Sequence, residues 1–297
     1  MPLIDFIITV FCWIDDMFKK ISQGKKVRQR GPEPKLSDSE VMTMEVIGEI
    51  LGIDTDKGIH GYFNRHWKEL FPQMGDRSAF LRQSANLWAY KQQLHRMCVE
   101  QLVSVGHGIR IVDGFPMPVC NFRRAHFSKI FRPEADYGYC TSKNQNYYGF
   151  KGHLLIDENG VIVDIVVSAA NKDEREAVFD MREFILRHLL GDKGYIMNPV
   201  RKEELLQEGI VLPTPLRSNM VDPRDPKAVN RLNRVRRLIE TVIGQLSERF
   251  HVEKIRARDF WHLTSRIARK VLAHNVCQLI TRSLGFGNLQ FDRLVSS

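Results

Sequence analysis

With 297 residues, 43% hydrophobic and 27% charged, the chain can bury a full core in one large or two moderate domains, and its composition excludes a disordered or low-complexity protein. Lys+Arg 44 against Asp+Glu 35 gives a net charge of +9 and a pI near 9.4, which points to a polyanionic partner, nucleic acid ahead of an anionic membrane. The five cysteines (Cys12, Cys98, Cys120, Cys140, Cys277) lie far apart, with no Cys-x-x-Cys and no Cys/His set of zinc spacing; they read as thiols in a reducing cytosol.

In chain order, the apolar stretch Met1 to Trp13 lacks a basic start, contains Asp5 and meets Asp15 and Asp16 too soon to span a bilayer. It is expected as an amphipathic docking helix, running from Leu3 to about Ile21. GKKVRQRGPEPK follows with Lys25, Lys26, Arg28 and Arg30 before two prolines, either a solvated linker or a phosphate-contacting arm. Ser37 and Glu40 form a capping-box pattern ahead of VMTMEVIGEIL, with Gly52 as the stop. Tyr62 to Leu70 and Ser78 to Val105 keep helical period, so the first hundred residues are expected to be all-helical, as a DNA-end-binding or dimerisation module or as a scaffold.

After Gly106 the period changes. Ile109, Ile111 and Val112 are β-branched and bounded by glycines, the pattern of a short buried strand with Asp113 as its last residue. Met117 to Gln145 reads as irregular, with basic and aromatic residues interleaved: Phe122, Arg123, Arg124, Phe127, Lys129 and Arg132 among them. That pattern suits a surface gripping phosphates and stacking on bases, or a loop packed by its own aromatics. Tyr147 to Asp157 and Val161 to Ser168 are β-rich runs joined through Asn159-Gly160, a strong hairpin signal. A helix over 173–187, a strand from Leu189 into Gly191-Asp192-Lys193-Gly194-Tyr195, a helix over 199–209 and a strand at 210–212 follow. Residues 217–230 read as a loop. Leu232, Val235, Ile239, Val242, Leu246 and Phe250 then make one apolar helical stripe, with Glu240 just off its edge. A last helix runs from Phe260 to Leu284.

This order is the plan of an α/β domain of RNase H-like type: a mixed five-stranded sheet flanked by helices, here preceded by an all-α region. In that plan the first and fourth strands are neighbours, so Asp113 and Asp192, each at a strand end and each followed within two residues by glycine, stand side by side. Two adjacent carboxylates need a cation to stay ionised together. Oxygen-only donors favour Mg²⁺ or Mn²⁺, and phosphodiester chemistry suits such a pair, with two ions roughly 3.5–4 Å apart. A third carboxylate from a neighbouring helix would complete the set, and Glu240 is placed for it.

VDGFPMPVC, GDKGYI and RRLIE, in this order, resemble the DDE transposases of bacterial and archaeal insertion sequences, and look closest to the insertion-sequence nine-eight-two group. The resemblance covers nearly the whole chain. It implies Asp113, Asp192 and Glu240 as the catalytic, metal-binding acids and Arg236 as a DNA-phosphate contact. It also implies hydrolysis at each transposon end by water, followed by transfer of the 3′-OH to target DNA, with no nucleophilic side chain; Tyr148 and Tyr195 are expected to pack. The expected partners are terminal inverted repeats and target DNA, with a homodimer at the synapse, in a prokaryotic cytoplasm at the nucleoid. The domains are expected at 1–105 (DNA-binding or dimerisation), 106–285 (catalytic) and 286–297 (tail).

Further DNA contacts are expected at Arg231, Arg234, Arg237, Arg249, Lys254, Arg123, Arg124, Lys129, Arg132 and Lys193. Residues 217–270, with fourteen Lys/Arg against six acids, form the expected DNA track. The chain departs from its relatives at Ser247 and Asn233, where a lysine and a tyrosine often stand, and in the short link before Leu189. His153 is expected as a core histidine rather than a metal neighbour. Two other classes remain open, a structure-specific RNase H-like nuclease and a non-catalytic, transposase-derived DNA-binding protein.

Overall fold

The computed structural model describes residues 1–28, 30–103, 108–214 and 225–295, together with the backbone but not the side chains of Ala228 and Arg231. The expected boundary at 105/106, Arg217, Arg224 and the Arg231 side chain therefore lie outside what is described. The chain divides into two compact units, Met1–Leu102 with Leu246–Ser297, and Val103–Gln245.

The first unit is helical. It contains α1 (Leu3–Ser22), α2 (Asp38–Ile50), α3 (Asp56–His66), α4 (Arg77–Asn86), α5 (Trp88–Leu102) and the later helix Phe260–Ser283. The Ser37 hydroxyl accepts the Glu40 N–H at 3.2 Å while the Glu40 carboxylate accepts the Ser37 N–H at 2.6 Å, so the capping box forms as read. The Phe260–Ser283 helix packs on α5 and α2, which is why residues 246–297 group with the N-terminal helices, unlike the three-part division expected above. Helix α3 starts six residues before the apolar period suggested, because the Thr55 hydroxyl caps it through the Gly58 N–H.

Buried within this unit is a set of charges that periodicity did not reveal. Lys91 Nζ donates to both carboxylate oxygens of Glu45 (3.0 and 2.9 Å), to Ser84 O (3.0 Å) and to Ser265 Oγ (2.8 Å). Arg269 donates to Glu49, Asp56 and Glu45, and Lys270 to Glu49 at 2.6 Å. Arg266 reaches Asp56 at 2.5 Å. These cations belong to the expected DNA track, and the structure corrects that expectation: acids of α2 and α3 neutralise Arg266, Arg269 and Lys270 inside the unit. Burial without such partners would cost several kcal/mol per ion.

The second unit holds the sheet: β1 (Ile109–Pro118), β2 (Asp136–Cys140), β3 (Gln145–Asp157), β4 (Ile162–Ala169) and β5 (His188–Leu190). Strands β1 and β4 flank β3 antiparallel, β2 pairs with the first residues of β3, and β5 runs parallel to β1. The β3–β4 turn places Gly160 at φ +79°, and the Asp157 carboxylate accepts the Asn159 and Val161 N–H groups at 2.9 and 2.8 Å. Helices α6 (Glu174–Asp180), α7 (Pro199–Gln207) and α8 (Pro226–Glu248) complete the elements. The mixed α/β, RNase H-like plan stands.

Several boundaries differ. Strand β1 runs through Pro116 to Pro118 instead of ending at Asp113. Since Gly108 O accepts from His188 and Val119 N donates to Tyr148 O, even-numbered residues of β1 turn their backbone toward the β5 side, and β5 pairs only through Ile111. The prolines therefore sit where no ladder donor is needed. The fifth strand is β2, inside the stretch expected to be irregular, whereas residues 210–212 make only a bridge, His188 to Val211. The helix expected over 173–187 stops at Asp180, and α8 starts at Pro226, inside the expected loop.

Candidate active site

Asp113 is the fifth residue of β1, and Asp192 lies two residues beyond the end of β5. The parallel register pairs Ile111 with Leu190, so each acid stands two residues past the last paired position of its strand. Beyond that point, among the described residues, no strand pairs with the β5 side of β1. The Asp113 carboxylate fills part of the gap by accepting the Gly114 N–H at 2.8 Å. Asp192 caps the short turn after it, accepting the Gly194 N–H at 2.7 Å. Both acids line an open cleft of about 370 Å³, together with Lys151 of β3, Glu174 of α6 and Tyr139 of β2.

Burial pushes the Asp113 carboxyl up to about 7; the Gly114 N–H opposes the shift, the charges of Asp192 and Glu174 add to it, and the Arg236 guanidinium reduces it. Asp113 therefore carries an electrostatic cost that a cation would remove. The donors at hand are oxygens, and among the described residues no cationic side chain forms an ion pair with Asp113 or Asp192, a set that fits a hard divalent cation. Among the described residues, no three His, Cys, Asp or Glu side chains already converge tightly enough to hold a metal.

Glu240 is the expected residue that stands apart. Its side chain is 55% exposed on α8, absent from the cleft lining, and paired with Arg236 at 3.3 Å. Arg236, one turn earlier, is the residue of this pair whose charge acts on Asp113. The structure thus brings Asp113 and Asp192 together, adds Arg236, and leaves Glu240 one residue removed.

Two residues in the site, Glu174 and Lys151, escaped sequence reasoning, and a third, Tyr195, was read only as packing. Glu174 follows the N-cap Asp173 at the start of α6, and its Oε1 accepts from Lys151 Nζ at 3.0 Å. The Tyr195 side chain is fully buried as expected, yet among the described residues its hydroxyl has no hydrogen-bond partner, and the charges of Glu174, Asp113 and Asp192 act on it. The glycine after each aspartate was the available signal: a Cβ on Gly194 would overlap the Glu174 carboxylate and lie 2.9 Å from Asp192 Oδ1, and one on Gly114 would meet Glu174, Lys151 and Tyr195. His153 is buried, with Nε2 3.0 Å from Ser168 Oγ.

Arg123, Arg124, Lys129 and Arg132 are exposed, beside Phe127 at 81% exposure, while Phe131 of the same stretch is buried against Phe150. Lys193, Arg234, Arg237 and Lys254 are exposed as well. Arg249 is committed within the helical unit, to Asp292 at 3.2 Å and over the Phe291 ring. Ser247 donates to Glu253 at 3.1 Å. No helix among the described residues is long and apolar enough to cross a membrane.

A family model described as transposase DDE domain matches residues 104–260. No match was found among curated proteins.

Proposed function

The chain belongs to the transposase DDE domain family, and from that premise we propose that it cuts DNA at the ends of an insertion sequence and joins the exposed 3′-OH groups to target DNA. The observation that carries this reading is that Asp113 and Asp192, each two residues past the last β1–β5 pair, line one cleft at the open end of the sheet. Asp113 and Asp192 are the residues to hold Mg²⁺ or Mn²⁺, with Glu240 as the third acid once DNA draws Arg236 onto a phosphate and frees the carboxylate. Bound divalent ions supply charge neutralisation at the scissile phosphate and a more acidic attacking water.

The chain's own groups bind and orient. Arg236 takes the phosphate, and the exposed Arg123, Arg124, Lys129, Arg132, Lys193, Arg234 and Arg237 extend the contact along the duplex. Tyr148 and Tyr195 are buried, so water and then the 3′-OH act as nucleophiles and no side chain is consumed. Pairing of two ends calls for two copies of the chain, with the N-terminal helices as the candidate DNA-binding or dimerisation region.

The test is incubation of a duplex carrying the inverted repeats that flank the reading frame with the protein and Mg²⁺ or Mn²⁺. The expected products are a nick with a 3′-OH and a joined species with target DNA; Asp113→Asn gives neither. One observation favours a second reading, a protein that binds the ends without cutting them: Glu240 is exposed and paired with Arg236. Terminal-repeat binding without any nick in either metal would decide for it, and a nick on branched DNA without joining would identify a structure-specific nuclease.

A further inference from the structure

Resting on the reading of Asp113 and Asp192 as cation ligands, we propose that Glu174 is a further acid of the same site, exchanging its partner Lys151 for a divalent cation shared with Asp192, with the Tyr195 hydroxyl taking over the oxygen that Lys151 releases. The two oxygens of Glu174 face different neighbours. Oε1 accepts from Lys151 Nζ at 3.0 Å, whereas Oε2 lies against the position that a Cβ on Gly194 would take, and Asp192 Oδ1 stands 2.9 Å from that same position. Two carboxylate oxygens thus crowd one position that glycine leaves empty. Lys151 neutralises Glu174 through the other oxygen, Oε1.

Tyr195 is the independent sign that a ligand belongs here. The phenol is 0% exposed and, among the described residues, its oxygen has no hydrogen-bond partner, a costly state for a buried hydroxyl. That oxygen lies 3.7 Å from the built Cβ position of Gly114, and Glu174 Oε1 lies 3.6 Å from the same point, so both oxygens border the space over Gly114. Moving Lys151 aside leaves Oε1 free to accept from Tyr195 and Oε2 free to meet an ion beside Asp192. The ion pair is partly exposed, with side chains 17% and 30% accessible, so it yields to a divalent charge without a large loss.

The full chain, stripped of metal and free of DNA, is titrated with Mn²⁺ while the free-ion electron paramagnetic resonance signal is followed, and folding of each variant is checked by circular dichroism. Glu174→Gln is expected to weaken Mn²⁺ binding by about tenfold or more, Lys151→Met to tighten it by about fivefold, and Tyr195→Phe to weaken it by a smaller factor. Wild-type affinity in both E174Q and K151M, with Asp192→Asn still abolishing binding, overturns the role of Glu174 and leaves the two-aspartate site intact. Wild-type affinity in D192N as well overturns the two-aspartate reading itself. If E174Q fails to fold, tighter binding in K151M supports the exchange, and unchanged or weaker binding in K151M refutes it.

Discussion

The helical unit and the sheet unit both bury charge, and they treat it in opposite ways. In the helical unit Glu45, Glu49 and Asp56 meet Lys91, Arg266, Arg269 and Lys270, with every carboxylate held by at least one cation. In the sheet unit Asp113, Asp192 and Glu174 share a cleft in which Lys151 bonds Glu174 alone. A compensated buried network holds helices in register, whereas an acid group short of cations is costly unless something arrives to neutralise it. The difference separates a fold-supporting cluster from one open to a ligand.

The largest expected effect breaks the first half of that comparison. Lys91→Met leaves the fully buried Glu45 carboxylate with Arg269 as its remaining cation among the described residues and is expected to cost about 3–5 kcal/mol in urea unfolding. Lys151→Met in the cleft is expected to cost about 1 kcal/mol or less, since its partner stays near solvent. Equal losses in the two variants would erase the distinction between the clusters.

pH sharpens it. The Asp113 carboxyl, pushed up to about 7 by burial against an ordinary value of 3.8, retains its proton in the folded chain over a range where the unfolded chain has lost it. Its contribution to stability is therefore greatest at low pH and declines as pH rises from about 4 to about 7. For Asp56, burial acts upward but the guanidinium groups of Arg269 and Arg266 prevail and hold the carboxyl well below its ordinary value. That contribution is present above pH 4 and is lost as the solution is acidified further. Melting curves in metal-free buffer should show Asp113→Asn removing the loss between pH 4 and 7 while leaving the acid-side loss in place. A wild-type profile in D113N would show that Asp113 carries no such cost.

The smallest effect concerns Arg236 and Glu240. As an i, i+4 pair on α8 with Glu240 mostly exposed, it is expected to contribute no more than about 0.5 kcal/mol in a double-mutant cycle. Coupling well above that would mean that Glu240 is fixed to Arg236 rather than available to the cleft.

The two aspartates of the cleft were legible because strand order and a glycine after each acid are local patterns, and the β1–β5 register then carried them to the same height. Glu174 was not, because it sits among five charged residues in KDERE and only the path of the chain from β4 into α6 turns it toward Gly194. Pro116 and Pro118 read as the end of a strand, since the missing partner on their side of β1 is a tertiary fact. Arg266, Arg269 and Lys270 read as a DNA track for a related reason. Their spacing on a helix shows that they are cationic, while the acids that bury them come from α2 and α3, more than 200 residues earlier in the chain.

Cleavage of the flanking terminal-repeat duplex by Asp113→Asn, compared with the unaltered chain under single-turnover conditions in Mn²⁺, bears most directly on the acids as one reactive centre. The expected result is a rate at least about a hundredfold lower, with duplex binding and the circular dichroism spectrum unchanged. Cleavage by the variant at the rate of the unaltered chain would contradict it.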